Sequence, residues 1–465
     1  MADPLILHPD RLFPADPATR EIARALHRSV SGLPIVSPHG HTDPAWFATD
    51  EPFSDPASLL IAPDHYVFRM LYSQGVRLEA LGISAQADPG EVWRIFAAHY
   101  HLFRGTPSQL WLDWVFAEVF GIEVRLGPET ADLYYRTIET ALARPEFCPR
   151  ALFERFGIEV IATTESPLDP LEHHRAIRSS GWKGRVVTTY RPDPVTDPDY
   201  PGFARNLALF GEAAGEDVSS FAGYLRAHER RRAFFREFGA TATDHGHPSA
   251  VTADLTPAEA EALYAKVFAG SATADEAELF RGQMLTEMAR MAIEDGMVMQ
   301  IHPGVYRSHN PHLLARFGRD MGADIPLPGE FVKALKPLLD RFGNDPRLTV
   351  ILFTLDEAVY SRELAPLAGH YPAIRLGPPW WFHDSPEGMR RFRECATETA
   401  GFYNTVGFND DTRAFFSIPA RHDVARRMDC AFLARLVAEH RMTERDAHDV
   451  ARALAYDLVK QAYRL

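Results

Sequence analysis

The chain has 465 residues, 46% of them apolar, which is enough to bury a large core in one unit or in two or three domains. Acidic residues outnumber basic residues by 63 to 49, and the formal charge of -14 argues against general binding of nucleic acid, although a few arginines in a cleft could still attract an anionic small molecule. No apolar run approaches the roughly 20 residues that a membrane-spanning helix needs, so we expect no membrane partner.

The chain opens with an arm, residues 1–32, that includes a short helix predicted over Pro17–His27. A short apolar strand follows and ends in His39-Gly40-His41. Side chains along a strand alternate between its two faces, so His39 and His41 point the same way and can converge on one metal ion. By itself, a His-x-His triplet is more often a pair of structural histidines.

A helical pattern then runs to about Phe156 with no strand between the helices. Asp64 is placed to cap a helix over His65–Gln74, and the apolar residues around Trp111 and Trp114 predict a strongly buried helix. An uninterrupted helical run after a single strand is typical of an insertion. The predicted organisation is an arm at 1–32, a main unit at 33–44 and 157–465, and an inserted helical subdomain at 45–156.

The rest of the chain alternates between short apolar segments and helical segments. The predicted strands are Glu159–Thr163, Arg185–Tyr190, Ala240–Thr243, Met297–His302, Leu348–Phe353, Ala373–Leu376 and Tyr403–Phe408. The predicted helices are Leu171–Ser179, Phe203–Glu212, Val218–Phe238, Asp275–Asp295, Gly329–Phe342, Pro386–Glu398, Ala420–His440 and Thr443–Tyr463. With the first strand there are eight strands, and such alternation predicts a parallel sheet. The fold class is therefore α/β, a distorted (β/α)8 barrel with a helical insertion after the first strand.

Polar residues follow most of these strands, where barrel enzymes place their active sites. Beyond the first strand they are Thr163-Thr164-Glu165, Arg191-Pro192-Asp193, Asp244-His245-Gly246-His247, Gln300 with His302, Thr354-Leu355-Asp356, Trp380-Trp381-Phe382-His383-Asp384 and Asn409-Asp410-Asp411-Thr412-Arg413. Buried charges are costly unless they are paired or bind a metal. Each residue alone has a structural explanation, since Asp193 or Asp244 could cap a helix and Trp380 could be core. The set as a whole favours an active site.

An early His-x-His, a histidine after the fifth strand and an aspartate after the eighth together are similar to the amidohydrolase superfamily of metal-dependent barrels. Six segments in the same order resemble, more closely, the uronate (glucuronate/galacturonate) isomerases. These segments are Asp64-His65-Tyr66-Val67-Phe68-Arg69, Arg191-Pro192-Asp193, Asp244-His245-Gly246, Gln300-Ile301-His302, Trp380-Trp381-Phe382 and Asp411-Thr412-Arg413. The resemblance extends from about residue 30 to 430.

This resemblance implies an aldose–ketose isomerisation of open-chain hexuronates, D-glucuronate to D-fructuronate and D-galacturonate to D-tagaturonate. Protons would move between C2 and C1 through a cis-enediol. It also implies one divalent metal ion, expected to be Zn²⁺, held by His39, His41 and Asp411, with His302 as a possible further ligand or substrate contact. The ion could act as a Lewis acid on the substrate oxygens, and Asp411 could also move a proton.

Two arginines, Arg191 and Arg413, could each grip the distant carboxylate or a hydroxyl of the substrate. His65 and Tyr66 could serve as acid and base, but Tyr66 would then need a pKa below its usual value of about 10. Asp244 could orient a hydroxyl or carry a ring-opening proton. The remaining expected substrate contacts are Trp380, Trp381, His302 and Gln300. His65 and Tyr66 could instead be packing residues, and Arg69 and Arg307 could form structural ion pairs.

Two other functions are compatible with the sequence. The first is a metal-dependent amidohydrolase that cleaves an amide or ester bond, although the fourth strand offers Asp244 and His245 rather than the lysine of many two-metal hydrolases. The second is a sugar-acid sensor without turnover, which would not need to keep the metal ligands. The cysteines, Cys148, Cys395 and Cys430, are far apart and odd in number, which predicts reduced thiols and a cytoplasmic protein. A homo-oligomer is expected.

Overall fold

A parallel sheet forms the centre of the protein in a computed structural model that describes residues 3–465. Seven strands pair in the order β1-β2-β3-β4-β5-β8-β9, and every neighbouring pair is parallel. A separate antiparallel pair, β6 and β7, lies outside this sheet. The described strands are β1 Ile35–Ser37, β2 Ile158–Glu165, β3 Arg185–Tyr190, β4 Ala242–His245, β5 Val298–Ile301, β6 Val305–Tyr306, β7 Ile325–Pro326, β8 Val350–Leu352 and β9 Ile374–Leu376.

Helices surround the sheet. Among the described residues, α1 Pro17–Val30 precedes β1, and the helices between β1 and β2 are α2 Pro44–Thr49, α3 Pro56–Leu60, α4 His65–Ser73, α5 Pro89–His99, α6 Pro107–Trp114, α7 Ala131–Leu142 and α8 Pro149–Arg155. The helices that follow β2 are α9 Glu172–Ser179, α10 Asp193–Thr196, α11 Phe203–Ala214, α12 Phe221–Glu237, α13 Pro257–Phe268, α14 Ala274–Asp295, α15 Pro311–Phe317, α16 Lys336–Phe342, α17 Ala365–Ala368, α18 Pro386–Ala400, α19 Ile418–Ala438, α20 Glu444–Arg452 and α21 Leu458–Tyr463. This architecture is the predicted distorted barrel.

The predicted eighth strand, Tyr403–Phe408, is wrong as a strand. Only one parallel bridge forms there, between Leu376 and Thr405. Gly407 explains the loss, since its φ of +76° lies in the left-handed region, which an extended strand does not use. The ring is closed instead beyond the strands, where the backbone N–H of His41 donates to the carbonyl of Thr412 at 3.0 Å.

The inside of the barrel is filled by one apolar cluster. Each of β1 to β5 and β8 contributes a side chain, and Val459 and Tyr463 of α21 complete the cluster. Parallel strands covered on both faces need apolar residues throughout, which explains why β5 and β8 are buried along their whole length. The polar groups of the barrel are thereby left at the carboxyl ends of the strands.

The helices between β1 and β2 share a second apolar cluster with the barrel. Ile35, Ile158 and Ile161 of the sheet belong to it, together with Phe415 and Phe416 near the end of the chain. The insertion therefore does not have a private core. Its helix α4 begins as predicted, because the side chain of Asp64 accepts from the N–H of Tyr66 at 2.8 Å.

Sequence reasoning missed several features of the connections. Helix α13 was not predicted, and the helix predicted over Gly329–Phe342 begins only at Lys336. The helix predicted over Thr443–Tyr463 is interrupted by a π-helical segment at Ala453–Asp457. Strands β6 and β7 were also missed, because two residues are too few to show a period. None of the described helices combines the length and the apolar character needed to cross a bilayer.

The N-terminal arm is fixed to the barrel by a charged cluster around Asp423 of α19. Its carboxylate accepts from Arg427 at 2.9 Å, forms an ion pair with Arg11 and lies 3.5 Å from Nε2 of His27. Burial alone would raise the pKa of Asp423, but His27 and the two arginines lower it to about 2. A carboxyl group with a lowered folded pKa stabilises the fold above its unfolded pKa of about 3.9 and loses that contribution as the pH falls.

We predict that Asp423→Asn lowers the free energy of unfolding by on the order of 2 kcal/mol at pH 7. The difference from wild type should shrink as the pH falls from about 4 toward 2, since the wild-type carboxylate is then protonated. Urea denaturation at pH 7, 4 and 3 measures it, with exposed Glu212→Gln as control. A difference that does not change with pH would contradict the assignment.

Candidate active site

The two ends of the chain meet at the carboxyl end of the barrel. Asp411 lies beyond the last barrel segment, and its Oδ1 is 3.4 Å from Nε2 of His39 and 3.3 Å from Nε2 of His41. His39 is buried, whereas His41 is 27% exposed to the cavity. Asp411 has a φ of +38°, a strained value for a residue other than glycine, and such strain is concentrated at functional sites.

His302, at the end of β5, brings a third imidazole to the same place. The donor atoms of His39, His302 and Asp411 all lie within 4.8 Å of one another. Nε2 of His302 is buried and has no hydrogen-bond partner in the described structure, while its Nδ1 is 2.7 Å from Oδ1 of Asp244. Burial alone would raise the pKa of Asp411, but the neighbouring His39 and His41 hold it well below its usual range. Imidazole and carboxylate donors so arranged fit a zinc-like ion.

A chain of charged groups leads away from His302. Arg191 donates to Asp193 at 2.9 Å and contacts Asp244 at 3.0 Å, so Asp244 lies between Arg191 and His302. Gly246 provides the space, because a Cβ there would lie 2.4 Å from Nη2 of Arg191 and 2.7 Å from Oδ2 of Asp193. These buried charges compensate one another, as buried charges must.

The first turn of α4 presents His65 and Tyr66 to the cavity. The hydroxyl of Tyr66 is 2.8 Å from Oδ2 of Asp384 and also contacts the carbonyl of Trp381. Burial and the charge of Asp384 raise the pKa of Tyr66 well above its usual range, which is the opposite of the lowered pKa that a Tyr66 base was expected to need. Burial, with the charge of Arg413, lowers the pKa of His65 to about 3, so His65 is neutral at pH 7.

Tyr66 is held by a network that sequence reasoning missed. Arg421 of α19 donates to Oδ2 of Asp384 at 2.7 Å and lies over the ring of Trp111 at 3.6 Å. Burial raises the pKa of Asp384 to about 6, although Arg421 and Tyr66 oppose this shift. The available signal was weak, because Arg421 is one of several charged side chains that α19 buries. Trp111 thus packs inside the chain.

The opposite wall of the cavity comes from the segment between β5 and α16. Arg413 donates to Asp320 at 2.9 Å, and Arg307 contacts Asp324 at 3.1 Å. The indole of Trp381 donates to the carbonyl of Asp324 at 3.0 Å. Together these walls enclose a cavity of about 300 Å³.

Most predicted site residues line this cavity. They are His39, His41, His65, Tyr66, Arg191, Asp244, His302, Trp380, Trp381, Asp411 and Arg413. Gln300 is the exception, because it is buried below the cavity, where its Oε1 accepts from the hydroxyl of Tyr463 at 2.9 Å. Asp320 and Asp324 also line the cavity and were not predicted. Glu165 was named among the strand-end residues but was given no role, and burial raises its pKa to about 7. Arg307 lines the cavity too and forms an ion pair with Asp324.

The fold and the site define a barrel enzyme, because the first and last segments of a distorted (β/α)8 barrel bring imidazoles and a carboxylate together at the carboxyl end of the strands. A family model described as glucuronate isomerase matches residues 17–463. A protein of Rhizorhabdus wittichii called uronate isomerase is 70% identical over 464 residues, covering 100% of each chain. The crystal structure of glucuronate isomerase from Caulobacter crescentus has a TM-score of 0.98 at 62% identity, over 99% of this chain and 97% of that one.

A more distant solved structure, uronate isomerase from Thermotoga maritima, has a TM-score of 0.92 at 27% identity and covers 98% of this chain and 99% of that chain. The family match extends over nearly all of the sequence, and the curated relative shares its full length. The chain therefore belongs to the glucuronate isomerase family, and it is an enzyme.

We predict that Arg421→Met lowers the free energy of unfolding by about 3 kcal/mol at pH 8, because it leaves Asp384 buried without its cation. The loss should be smaller at pH 5, where Asp384 can take up a proton at less cost. Denaturant unfolding at both pH values measures this.

The double variant Arg421→Met with Asp384→Asn is the matched control, since it also removes the stranded carboxylate. It should recover part of the loss at pH 8. No recovery, or an equal loss at both pH values, would show that Arg421 stabilises the fold by packing alone.

Proposed function

We propose that this protein interconverts aldo- and keto-hexuronates, D-glucuronate with D-fructuronate and D-galacturonate with D-tagaturonate. One structural observation supports this proposal in addition to the family membership. The imidazole–carboxylate set of His39, His302 and Asp411 shares one cavity with the guanidinium groups of Arg191 and Arg413. A hexuronate has the matching polarity, with a carbonyl at one end and a carboxylate at the other.

His39, His302 and Asp411 form the set whose donor atoms converge, and His41 contacts the same carboxylate oxygen of Asp411 as His39 does. His39, His41 and Asp411 would hold one divalent ion, with Zn²⁺ favoured by the two imidazoles, and His302 offers a further buried nitrogen. When bound, such an ion supplies Lewis-acid polarisation of the substrate's carbonyl and neighbouring hydroxyl. Asp244 supports His302 from the other side, as carboxylates commonly support metal-binding histidines.

The charge states of Tyr66 and Asp411 indicate which of the two takes the proton from C2. Tyr66 stays protonated because its pKa is raised, so it serves as a hydrogen-bond donor, whereas Asp411 is ionised and can accept a proton. In the proposed step the C2–H bond breaks and its proton moves to the Asp411 carboxylate. The C2–H electron pair forms the C1=C2 bond, the carbonyl π pair moves to O1, and O1 takes the proton of the C2 hydroxyl, which gives the cis-enediolate. Return of the proton to C1 gives the ketose. Neutral His65 lies beside the cavity to pass hydroxyl protons during ring opening.

A hydrolase is the weaker alternative. A protein of Lactobacillus casei described as a metal-dependent hydrolase is 14% identical with a TM-score of 0.54, a likeness that concerns the fold alone. The chain's full-length relatives at 65–70% identity are called uronate isomerases. Asp244, which a hydrolase could use at its metal, is bound by Arg191 and His302.

Incubation of purified protein with D-galacturonate, D-glucuronate and a chromogenic ester tests the function directly. Appearance of ketose without ester cleavage is expected, and NMR identifies the product. Ester cleavage without ketose would favour the hydrolase. Binding of the uronates without turnover would favour a sugar-acid sensor.

We predict that Asp411→Asn lowers bound metal and reduces turnover by more than about 100-fold, since even outer partners of metal ligands cost 10- to 100-fold. Metal analysis by mass spectrometry and initial rates on D-glucuronate measure both effects. Asp410→Asn is a poor control because His422 binds Asp410, so exposed Asp275→Asn is preferred. Full activity in Asp411→Asn would remove this residue from the site.

We predict that Arg413→Met lowers kcat/KM on uronates by roughly 10- to 100-fold, because a charged hydrogen bond to the substrate carboxylate is lost. The loss on neutral aldoses should be much smaller. Arg316→Met, at an exposed arginine paired with Glu79, makes the same charge change elsewhere. Equal fractional losses on acidic and neutral sugars would show that Arg413 does not read the carboxylate.

We further propose a cytoplasmic homo-oligomer. The three free thiols, Cys148, Cys395 and Cys430, support a reducing compartment. The subunit number is open to measurement by analytical ultracentrifugation, in which a single monomeric species would contradict the oligomer.

A further inference from the structure

One wall of the cavity is a short segment, residues 318–324, that we call the mouth segment. It connects α15 to β7 and contributes Arg319, Asp320, Gly322 and Asp324 to the cavity lining. It contains no helix or strand, so its position depends on a backbone hydrogen bond from the N–H of His309 to the carbonyl of Ala323 at 2.8 Å and on side-chain contacts.

Two of its contacts are tight. The Asp324 carboxylate accepts from the N–H of Ser308 at 2.7 Å and from Arg307 at 3.1 Å. Gly322 has a φ of +68°, and a Cβ there would lie 2.8 Å from Cβ of Arg69, so the segment packs closely on α4. These contacts fix the mouth segment beside the helix that carries His65.

The ion pair between Asp320 of the mouth segment and Arg413 is more exposed to solvent than these contacts. Asp320 accepts from Nη2 of Arg413 at 2.9 Å, and the side chains of Asp320 and Arg413 are 49% and 35% exposed. Ion pairs this exposed contribute little net stability, because water solvates both groups when they separate. By contrast, the side chain of Asp244 is 1% exposed in its pair with Arg191, so that pair cannot separate without stranding a buried charge.

We propose that Asp320 is a resident carboxylate that occupies Arg413 until the carboxylate of an acidic sugar displaces it, and that Asp320 thereby limits the affinity of the enzyme for acidic sugars. The inference rests on the proposed function in that its ligand is a sugar acid.

Asp320 opposes an incoming carboxylate in two ways. Arg413 presents a planar fork of donors, and a carboxylate binds such a fork best through two parallel hydrogen bonds. Asp320 engages Nη2, so an incoming carboxylate must share or take that donor. The two carboxylates also repel each other in the same small cavity. Removal of the Asp320 charge relieves both effects and leaves Arg413 in place.

The experiment measures the Kd of galactarate and of galactitol by titration calorimetry with the full-length protein as purified. Galactarate is a hexaric acid without an aldehyde, so it cannot be isomerised, and galactitol is its neutral counterpart. The proteins are wild type, Asp320→Asn, Asp320→Glu, and Arg413→Met with and without Asp320→Asn. Asp340→Asn is the matched control, since Asp340 is an exposed aspartate paired with Lys336 far from the cavity.

Asp320→Asn should lower the Kd for galactarate about fivefold, which is the free energy of an exposed ion pair converted to a ratio of Kd values. The Kd for galactitol should stay unchanged. Asp320→Glu should resemble wild type because it keeps a carboxylate. In the Arg413→Met background, Asp320→Asn should have less effect, because the shared donor is gone.

An unchanged or higher galactarate Kd in Asp320→Asn would overturn the inference, and so would the same gain in Asp340→Asn. If wild type converts hexuronates in that case, the proposed function stands. Tighter galactarate binding by Asp320→Asn in a protein that converts no hexuronate would instead overturn the proposed function and keep this role of Asp320.

Discussion

The interaction between Asp411 and the imidazoles of His39 and His41 is the constraint on which the rest of the site depends. It joins residues 372 and 370 positions apart in sequence, at the edge of the sheet where no ladder of paired strands closes the barrel. The backbone bond from His41 to Thr412 fixes the same junction. A carboxylate that is only 13% exposed, on a left-handed residue, is destabilising unless cations compensate it. The site therefore contains a cost that a bound metal ion would offset.

The remaining charges of the cavity follow from the same rule. Arg191, Asp244 and His302 compensate one another on one side, and Arg421 compensates Asp384 on the other. Both networks are buried, and each orients a group that faces the cavity. Asp320 and Arg413 lie at the mouth instead, where the pair is half-exposed. This gradient, from fixed pairs inside to an exchangeable pair at the mouth, suits a site that must bind and release a charged substrate.

Much of the barrel and of its site could be predicted from local periodicity. The period of two predicted that His39 and His41 would meet, and both contact Asp411, although β1 ends at Ser37 and the two histidines lie beyond the strand. The strand-end rule collects Arg191 and Asp244 at the same end of the sheet. Gln300 shows the limit of this rule. It lies one position before the end of β5, and its side chain is buried below the cavity, where it accepts from Tyr463. The eighth strand failed at Gly407, where a single left-handed residue outweighs an apolar pattern.

The rest depends on tertiary contacts that no local pattern contains. Burial and the charge of Asp384, which lies 318 residues away in sequence, raise the pKa of Tyr66. Burial likewise raises the pKa of Asp384, while the contact with Arg421 opposes that shift. The mouth segment holds its position through Gly322 and Asp324 without regular structure, so neither period nor propensity indicates it. Sequence reasoning could name the residues of the barrel end but could not assign their protonation states.

Anomalous diffraction at the zinc edge, from a crystal grown with zinc, tests the central claim most directly. We expect one strong peak within about 2.0–2.2 Å of Nε2 of His39, Nε2 of His41 and the carboxylate of Asp411. A peak elsewhere in the chain, or none between these three residues, would contradict the account.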